Sequence, residues 1–311
     1  MVGGRVMEVG VGGLTVGGGL SYLSDQYGMV CENVVSFEVV LANSRVVVAS
    51  QDSNPDLFWA LKGGTNNFGI VTKITWPTLP FRDGWGGVQT FALDQMPQVL
   101  QALHDYQTAP YKDLHANLII NFGITNDTII STLIYMDPIM ATFVIPPVPR
   151  WTWYTNSFKP TPEFYGKLSE ILTTAPEVAT LKALQGGTLL ATFQPINKNL
   201  VLEGEKHGGN ALGLEPVDQT WLALDVAWWN EADDDVAYDA TEALLAKINK
   251  EAKADGIFLD YIFINDASNR QPVLASYGPE NVQKLRDVKQ AYDPAEVFQR
   301  LVPGGQKIPC H

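Results

Sequence analysis

The chain has 311 residues, of which 46% are hydrophobic and 18% are charged, as in an ordinary globular protein of one large domain or two. Its formal net charge of −13 argues against nucleic acid or an anionic membrane surface as a partner, because both repel an acidic protein. No apolar stretch approaches the length of a transmembrane helix, and glycines interrupt the apolar region that a signal peptide would need near Met1.

The first quarter of the chain alternates predicted strands with short helices. We expect strands at residues 5–11, 34–42, 45–49 and 68–76, and helices at residues 20–27 and 55–62. Gly28 ends the first of these helices. The clearest helix start is Asn54 as N-cap, followed by Pro55 at the first helical position and Asp56 near the positive end of the dipole.

The remainder of the chain continues this alternation. We expect helices at residues 94–108, 161–172, 233–255 and 279–292, and strands at residues 114–124, 128–135, 187–193, 221–229 and 257–264. Between residues 138 and 162, proline and aromatic residues indicate a connecting loop with one short strand. This order of elements predicts an α+β fold with mixed sheets.

Five clustered glycines make residues 12–28 the most informative part of the chain. They are Gly12, Gly13, Gly17, Gly18 and Gly19. A backbone without side chains can approach a ligand closely and present its N–H groups to a phosphate. The run matches neither a Rossmann fingerprint, because Thr15 stands at its sixth position, nor a P-loop, because Gly18 replaces the lysine. A Gly-rich turn and a nucleotide-binding loop both stay open on pattern alone.

Metal chemistry has little support in the sequence. The two cysteines, Cys31 and Cys310, could not hold zinc without help from histidine or carboxylate groups, and the four histidines are scattered. We therefore expect no metal site, and two free thiols rather than a disulfide.

Two separated segments together resemble a known family. The first is VGVGGLTVGGGLSYLSDQYGMVCENVVSFEVV at residues 9–40, continued by NPDLFWALKGGTNNFGIVT at residues 54–72. The second comprises SYGPEN at residues 276–281, YDP at residues 292–294 and VFQRLVPGGQK at residues 297–307. Both are similar to FAD-linked oxidases of the vanillyl-alcohol oxidase superfamily, and most of all to its berberine-bridge-enzyme-like branch, which is widespread in fungi. The resemblance covers essentially the whole chain.

The resemblance implies a partial FAD-binding domain of the PCMH type and a cap domain with a large antiparallel sheet flanked by helices. Residues 1–80 would be the second half of the FAD-binding domain, residues 81–265 the substrate cap, and residues 266–311 a segment returning to the FAD domain. In many members, the first FAD half carries a histidine that binds the flavin covalently. No histidine or cysteine here matches an attachment position, so the resemblance implies non-covalent FAD.

The resemblance also implies site residues. Those expected to bind the cofactor are Gly12, Gly13, Leu14, Gly17, Gly18, Gly19, Asn33, Val34, Val35 and Asn265. Asn33 is alternatively a turn residue. Phe263 stands where some members have a tyrosine base, and phenylalanine cannot take a proton. Asp266 is the candidate catalytic base in its place, because a carboxylate shielded from water can be tuned toward a neutral pKa; the alternative is a surface or N-cap aspartate.

The implied activity is the two-electron oxidation of a small organic substrate, in secondary metabolism, with hydride transfer to flavin N5 and reoxidation by O2. Two other hypotheses stay open: a truncated, flavin-free relative that is inactive or only binds ligands, and a cofactor-independent enzyme that uses the cap pocket. The substrate, the localisation and the oligomeric state cannot be read from the sequence.

Overall fold

A computed structural model describes residues 3–6, 8–79, 84–136 and 148–309. The helices are α1 Val11–Val16, α2 Ser24–Tyr27, α3 Pro55–Leu61, α4 Met96–Thr108, α5 Pro162–Thr174, α6 Pro176–Ala183, α7 Lys198–Lys206, α8 Asp234–Ala254, α9 Pro279–Tyr292 and α10 Val297–Arg300. The strands are β1 Ser36–Val40, β2 Val46–Ser50, β3 Ile70–Thr75, β4 Gly84–Ala92, β5 Ala116–Gly123, β6 Thr128–Met136, β7 Arg150–Phe158, β8 Thr188–Ile196, β9 Gln219–Trp228 and β10 Phe258–Leu259.

The smaller of two sheets has the order β2-β1-β3, and both of its pairings are antiparallel. Its inner face buries Phe37, Val39 and Ala49, which pack against the apolar residues of α3. The same core takes in Trp221 and Tyr261, whose ring centroids are 5.0 Å apart. The small sheet therefore shares its core with the larger sheet and with the segment that follows that sheet in the chain.

The larger sheet has seven strands in the order β10-β7-β9-β8-β5-β6-β4, all antiparallel. One face is apolar and packs against α4, α5, α6 and α8. Partners in register point to the same face, so Asn121, Thr192 and Ala223 share the opposite face, as do Gln194 with Trp221 and Leu190 with Asp225. The side of the sheet away from the helices is therefore a polar surface on which a site can be built.

At the β7 edge of this sheet, a side chain takes the place of a neighbouring strand. β10 pairs only with Ser157 and Phe158. Beyond it, the amide of Gln271 accepts a hydrogen bond from the backbone N–H of Thr155 over 3.0 Å and donates to its carbonyl oxygen over 2.7 Å. The segment that follows Asp266 is thus held along the open edge of β7.

The predicted α+β class, with a large antiparallel sheet flanked by helices, is confirmed. The expectation of mixed sheets is wrong for the described strands, since every pairing among them is antiparallel. The predicted helix at residues 55–62, the hairpin of β1 and β2, and the long helix at residues 233–255 are found at nearly the expected positions.

Three strand predictions are wrong. No strand runs through the described part of residues 5–11, because α1 begins at Val11. Of residues 257–264 only Phe258 and Leu259 form a strand; the chain then runs without regular structure to a 3₁₀ turn at Ile264–Asp266. In place of one short strand, β7 has nine residues. Residues 138–147 of the predicted loop, and Cys310, lie outside the described residues; Cys31 is a buried free thiol.

Candidate cofactor and substrate site

The first half of the glycine run forms α1, whose N-terminal end is open. Gly12 and Gly13 are exposed, and a Cβ atom placed at either would have nothing within 4 Å. Because this space is open, packing against the described residues does not require glycine at either position. A glycine within a helix also costs about 1 kcal/mol of stability relative to alanine. The first N–H groups of a helix have no carbonyl partner of their own, and they suit an anion such as a pyrophosphate. Contact of Gly12 and Gly13 with the phosphates of FAD stays a prediction.

The second half of the run is packed inside the chain. A Cβ at Gly17 would come 2.1 Å from Oδ1 of Asn265, and one at Gly19 would come 2.9 Å from Cβ of Val30. Gly18 and Gly19 also adopt φ values of +102° and +79°, which favour glycine. Internal contacts account for glycine at all three positions. Their contact with a flavin stays a prediction.

The next three residues that the sequence assigned to the cofactor follow α2. Asn33 is buried, and its Nδ2 donates to the carbonyl oxygens of Tyr27 and Met29, each over 2.9 Å. This amide therefore holds a turn. Val34 is buried, whereas Val35 is 54% exposed and its N–H donates to the carbonyl of Thr75 over 2.8 Å. A cofactor role for Asn33, Val34 and Val35 stays a prediction.

The 3₁₀ turn at Ile264–Asp266 contacts the helix that the glycine run forms. Nδ2 of Asn265 donates to the carbonyl oxygen of Leu14, in α1, over 3.1 Å. The Leu14 side chain is half-buried and lies where a Cβ of Gly19 would come within 3.0 Å of it. The structure thus brings Leu14, Gly17, Gly19 and Asn265 together, although the last of them lies near the far end of the sequence.

Asp266 is half-buried beside the polar face of the large sheet. Its Oδ2 accepts a hydrogen bond from Nε2 of Gln194 over 2.7 Å. The guanidinium of Arg5 donates to Oε1 of the same glutamine and interacts electrostatically with Asp266. Burial raises the pKa of Asp266, while the charge of Arg5 and the bond from Gln194 lower it. Burial is the largest of these influences, so the pKa of Asp266 lies above that of an ordinary aspartate.

A second carboxyl, Asp225 on β9, was missed by the sequence reasoning. Oγ1 of Thr192 lies 2.6 Å from Oδ2 of Asp225 and 2.8 Å from Oδ1 of Asn121. The Thr192 hydroxyl has one proton, so it can donate to only one of these two oxygens at a time. Burial, together with the charge of Asp266, raises the pKa of Asp225 to about 8 against the hydrogen bond from Thr192. The signal in the sequence was an acidic residue at an alternating position of an otherwise apolar strand.

Burial raises the pKa of both carboxyls, and the two differ in the neighbours that oppose this rise. Asp266 faces a cation and an amide donor, both of which favour its ionised form. Asp225 faces a hydroxyl and the charge of Asp266, and it holds its proton at neutral pH. Buried carboxyls with raised pKa values and unlike neighbours are suited to take and give protons during one reaction.

Two further findings concern metals and membranes. Within the ranges that the structure describes, no three histidine, cysteine, aspartate or glutamate side chains lie together in a way that could hold a metal ion. None of the helices in these ranges is both long and apolar enough to cross a bilayer.

Comparison with protein families gives two matches at opposite ends of the chain. Residues 2–50 match the family described as "FAD binding domain", and residues 262–300 match "Berberine and berberine like". The first contains α1 and the glycine run, and the second contains Asn265 and Asp266. The two segments that meet in the structure are therefore the two segments that carry the family signatures.

Curated relatives align over nearly the whole chain. The bifunctional solanapyrone synthase of Alternaria solani is 32% identical over 99% of this chain and 65% of its own length. The FAD-dependent monooxygenase tpcD of Cochliobolus heterostrophus is 32% identical over 99% of this chain and 68% of its own length. The FAD-dependent monooxygenase sdcF of Emericella nidulans is 31% identical over 98% of this chain and 71% of its own length. The chain thus spans about two thirds of the length of these relatives.

Solved structures share the fold at low identity. A variant of the BBE-like 1 protein of Physcomitrella patens has a TM-score of 0.76 at 16% identity, over 100% of this chain and 72% of that one. The xylooligosaccharide oxidase of Myceliophthora thermophila, in complex with xylobiose, has a TM-score of 0.73 at 18% identity. This match covers 100% of the present chain and 73% of the oxidase. Together with the matches above, this shows that the chain belongs to the FAD-linked oxidoreductases of the vanillyl-alcohol oxidase superfamily, in its berberine-bridge-enzyme-like branch.

Proposed function

We propose that the protein is an FAD-dependent oxidoreductase that removes two electrons from a small organic substrate. The observation that carries the proposal is the pair Asp225 and Asp266, which lies beside Asn265, the residue bonded to the glycine-run helix. When bound, FAD supplies hydride acceptance at N5, and O2 is the proposed reoxidant. The names of the curated relatives, which include a solanapyrone synthase, support a role in secondary metabolism.

Asp266 is the proposed base. Its ionised form is favoured by Arg5 and Gln194, so it can accept a proton from a substrate hydroxyl or C–H group. Asp225 is the proposed proton store, since it is protonated at neutral pH and interacts electrostatically with Asp266. The Thr192 hydroxyl lies between Asn121 and Asp225 and holds Asp225 in place.

For the cofactor, we propose non-covalent binding. The N–H groups at Gly12 and Gly13 would hold the phosphates, and Leu14, Gly17–Gly19, Asn33–Val35 and Asn265 would lie nearer the flavin. In this proposal residues 1–80 form the second half of the FAD-binding domain, residues 81–265 the cap, and residues 266–311 the returning segment. The open glycines of α1 support it, because no described residue lies within 4 Å of a Cβ placed at either position.

The test is the visible absorption spectrum of the purified chain before and after FAD is added. We expect the bands of oxidised flavin to stay with the protein through gel filtration and denaturation in acid to release the flavin from the polypeptide. A colourless protein that ignores added FAD would contradict the proposal and favour the flavin-free alternatives. Flavin that stays attached after denaturation would contradict the non-covalent assignment.

The roles of the two carboxyls are tested in the flavin-loaded protein. Asp266→Asn should lower kcat by about 10²- to 10⁴-fold while leaving FAD bound, because a positioned base contributes that much. Asp287→Asn is the control, since this aspartate lies on α9 and bonds only to the exposed Gln283 among the partners described. An Asp266→Asn variant with the activity of the control would contradict the assignment of the base.

A further inference from the structure

A shallow cavity of about 280 Å³, largely open to solvent, lies at the β7 edge of the large sheet, next to the segment that carries Asp266. Its lining residues are Trp151, Thr152, Trp153, Tyr238, Ala267, Ser268 and Asn269. Three of them are aromatic, so the walls offer flat apolar surfaces with a few polar groups between them. This is the usual composition of a site for a small organic molecule.

Trp153 has a buried donor without a protein partner. Its Nε1 is buried and makes no hydrogen bond to any described residue. By contrast, the neighbouring Trp151 donates from Nε1 to the carbonyl of Val148 over 2.8 Å. Buried donors are nearly always satisfied, so this indole N–H calls for an acceptor other than the described residues. The acceptor that fits between aromatic walls is a carbonyl oxygen on a flat molecule.

The position of Trp153 connects this cavity with the two carboxyls. Trp153 is the register partner of Asp225, and the two side chains therefore project from the same face of adjacent strands. On the other side of the cavity, Ala267 directly follows Asp266 in the chain. A molecule seated in the cavity can therefore extend toward both carboxyls.

The charges around the cavity favour a neutral ligand. Arg270 lies over the ring of Tyr238, with its carbon Cζ 4.5 Å from the ring centroid, and pairs with Asp239 over 2.8 Å and with Asp235 over 3.6 Å. This cation is therefore already engaged. On the other side, the ionised form of Asp266 would repel an anion.

We infer that this cavity holds the neutral, flat, carbonyl-bearing end of the substrate, and that the indole N–H of Trp153 donates to its carbonyl oxygen. The inference rests on the proposed function only in calling the occupant the substrate. Binding itself needs neither flavin nor turnover.

The test is an NMR titration of the flavin-free protein, labelled with ¹⁵N at its tryptophan indoles. The probe is 1-indanone, a flat neutral ketone, and its control is indane, which has the same rings without the oxygen. We expect 1-indanone to shift the indole N–H signal of Trp153, and indane to leave it nearly unmoved. Trp153→Phe assigns the signal and should weaken 1-indanone binding about five- to tenfold, the effect of one lost hydrogen bond, with little change for indane.

The matched control is Trp76→Phe. Nε1 of Trp76 is also buried without a protein partner, but Trp76 does not line the cavity, so its removal should leave both affinities unchanged. Asn269→Trp, at an exposed lining position, should fill the cavity and abolish binding of both probes even if Trp153→Phe does not fold. A Trp153 signal that neither probe moves would overturn the inference and leave the proposed oxidation untouched. Failure of the protein to bind FAD would overturn the proposed oxidation. The titration would still test the cavity, because it uses the flavin-free protein.

Discussion

Asn265 donates from Nδ2 to the carbonyl oxygen of Leu14 over 3.1 Å, and its Oδ1 occupies the space into which a Cβ at Gly17 would project. One amide therefore links the N-terminal and C-terminal family segments and also leaves no room for a side chain at position 17. This contact requires an amide at position 265 and a glycine at position 17.

Alanine substitutions in the glycine run should separate packing from ligand binding. Gly17→Ala places a Cβ 2.1 Å from Oδ1 of Asn265 and should lower the free energy of unfolding by about 1–3 kcal/mol, as overpacking does. Gly12→Ala meets open space and should leave stability unchanged or raise it by up to about 1 kcal/mol. Urea denaturation of both variants checks this. Equal losses in the two variants would contradict the packing described for Gly17.

Asp225→Asn should change how stability depends on pH. The pKa of Asp225 is about 8 in the folded protein and near 3.9 in the unfolded chain, so the unfolded state releases this proton first as pH rises. The contribution of Asp225 is therefore complete below about pH 4 and is lost as pH rises through 8. Asparagine cannot ionise, so the variant should gain stability relative to the wild type from pH 5 toward pH 8. Parallel pH profiles of the two proteins in urea denaturation would contradict a raised pKa at Asp225.

Arg5→Gln should raise the pKa of Asp266, because the charge of Arg5 lowers it in the wild type. Arg5→Lys, which retains a positive charge, should raise it less. Carboxyl ¹³C chemical shifts of aspartate-labelled protein, followed through a pH titration without flavin, measure this directly. In the flavin-loaded enzyme, the acid limb of the pH profile of kcat/KM should also move to higher pH, and it should move further in Arg5→Gln than in Arg5→Lys. An unchanged titration of Asp266 in Arg5→Gln would remove Arg5 from the proposed site.

Asn54→Ser should destabilise the protein although serine is as good an N-cap as asparagine. Asn54 has a φ of 48°, and its side chain caps no helix N–H. Its Nδ2 donates instead to the carbonyl of Val48 over 2.8 Å. Because serine would lose this bond and fit the left-handed backbone less well, we expect the free energy of unfolding to fall by about 1–2 kcal/mol in thermal or chemical denaturation. A neutral result would restore the capping role expected from the sequence.

The elements that sequence could predict are those with local causes. Pro55 after Asn54 starts α3, Gly28 ends α2 in the left-handed region, and the turn at Asn43 and Ser44 joins β1 to β2. Each signal acts within a few residues, so no knowledge of the rest of the fold is needed. The two family segments were recognisable for the same reason, as uninterrupted stretches of sequence.

Sequence reasoning was weaker where distant residues decide the outcome. Alternation along β9 places Asp225 on one face with Trp221 and Ala223, but only the pairing with β8 shows that this face carries Thr192 and lies beside Asp266. Apolar residues at 257–264 indicate a strand, yet Tyr261 and Phe263 are buried by packing on Trp221 rather than by a ladder of hydrogen bonds. Burial alone does not distinguish these two structures.

The amide of Gln271 has a consequence for the solubility of the protein. An uncovered strand edge is a template on which the strand of another molecule can add, and repeated addition leads to aggregation. By bonding both backbone groups of Thr155, Gln271 blocks that addition at one point of β7. The stretch from Asp266 to Gln271 therefore carries the proposed base and also covers part of a strand edge. Substitutions that displace this stretch should promote aggregation as well as lower activity.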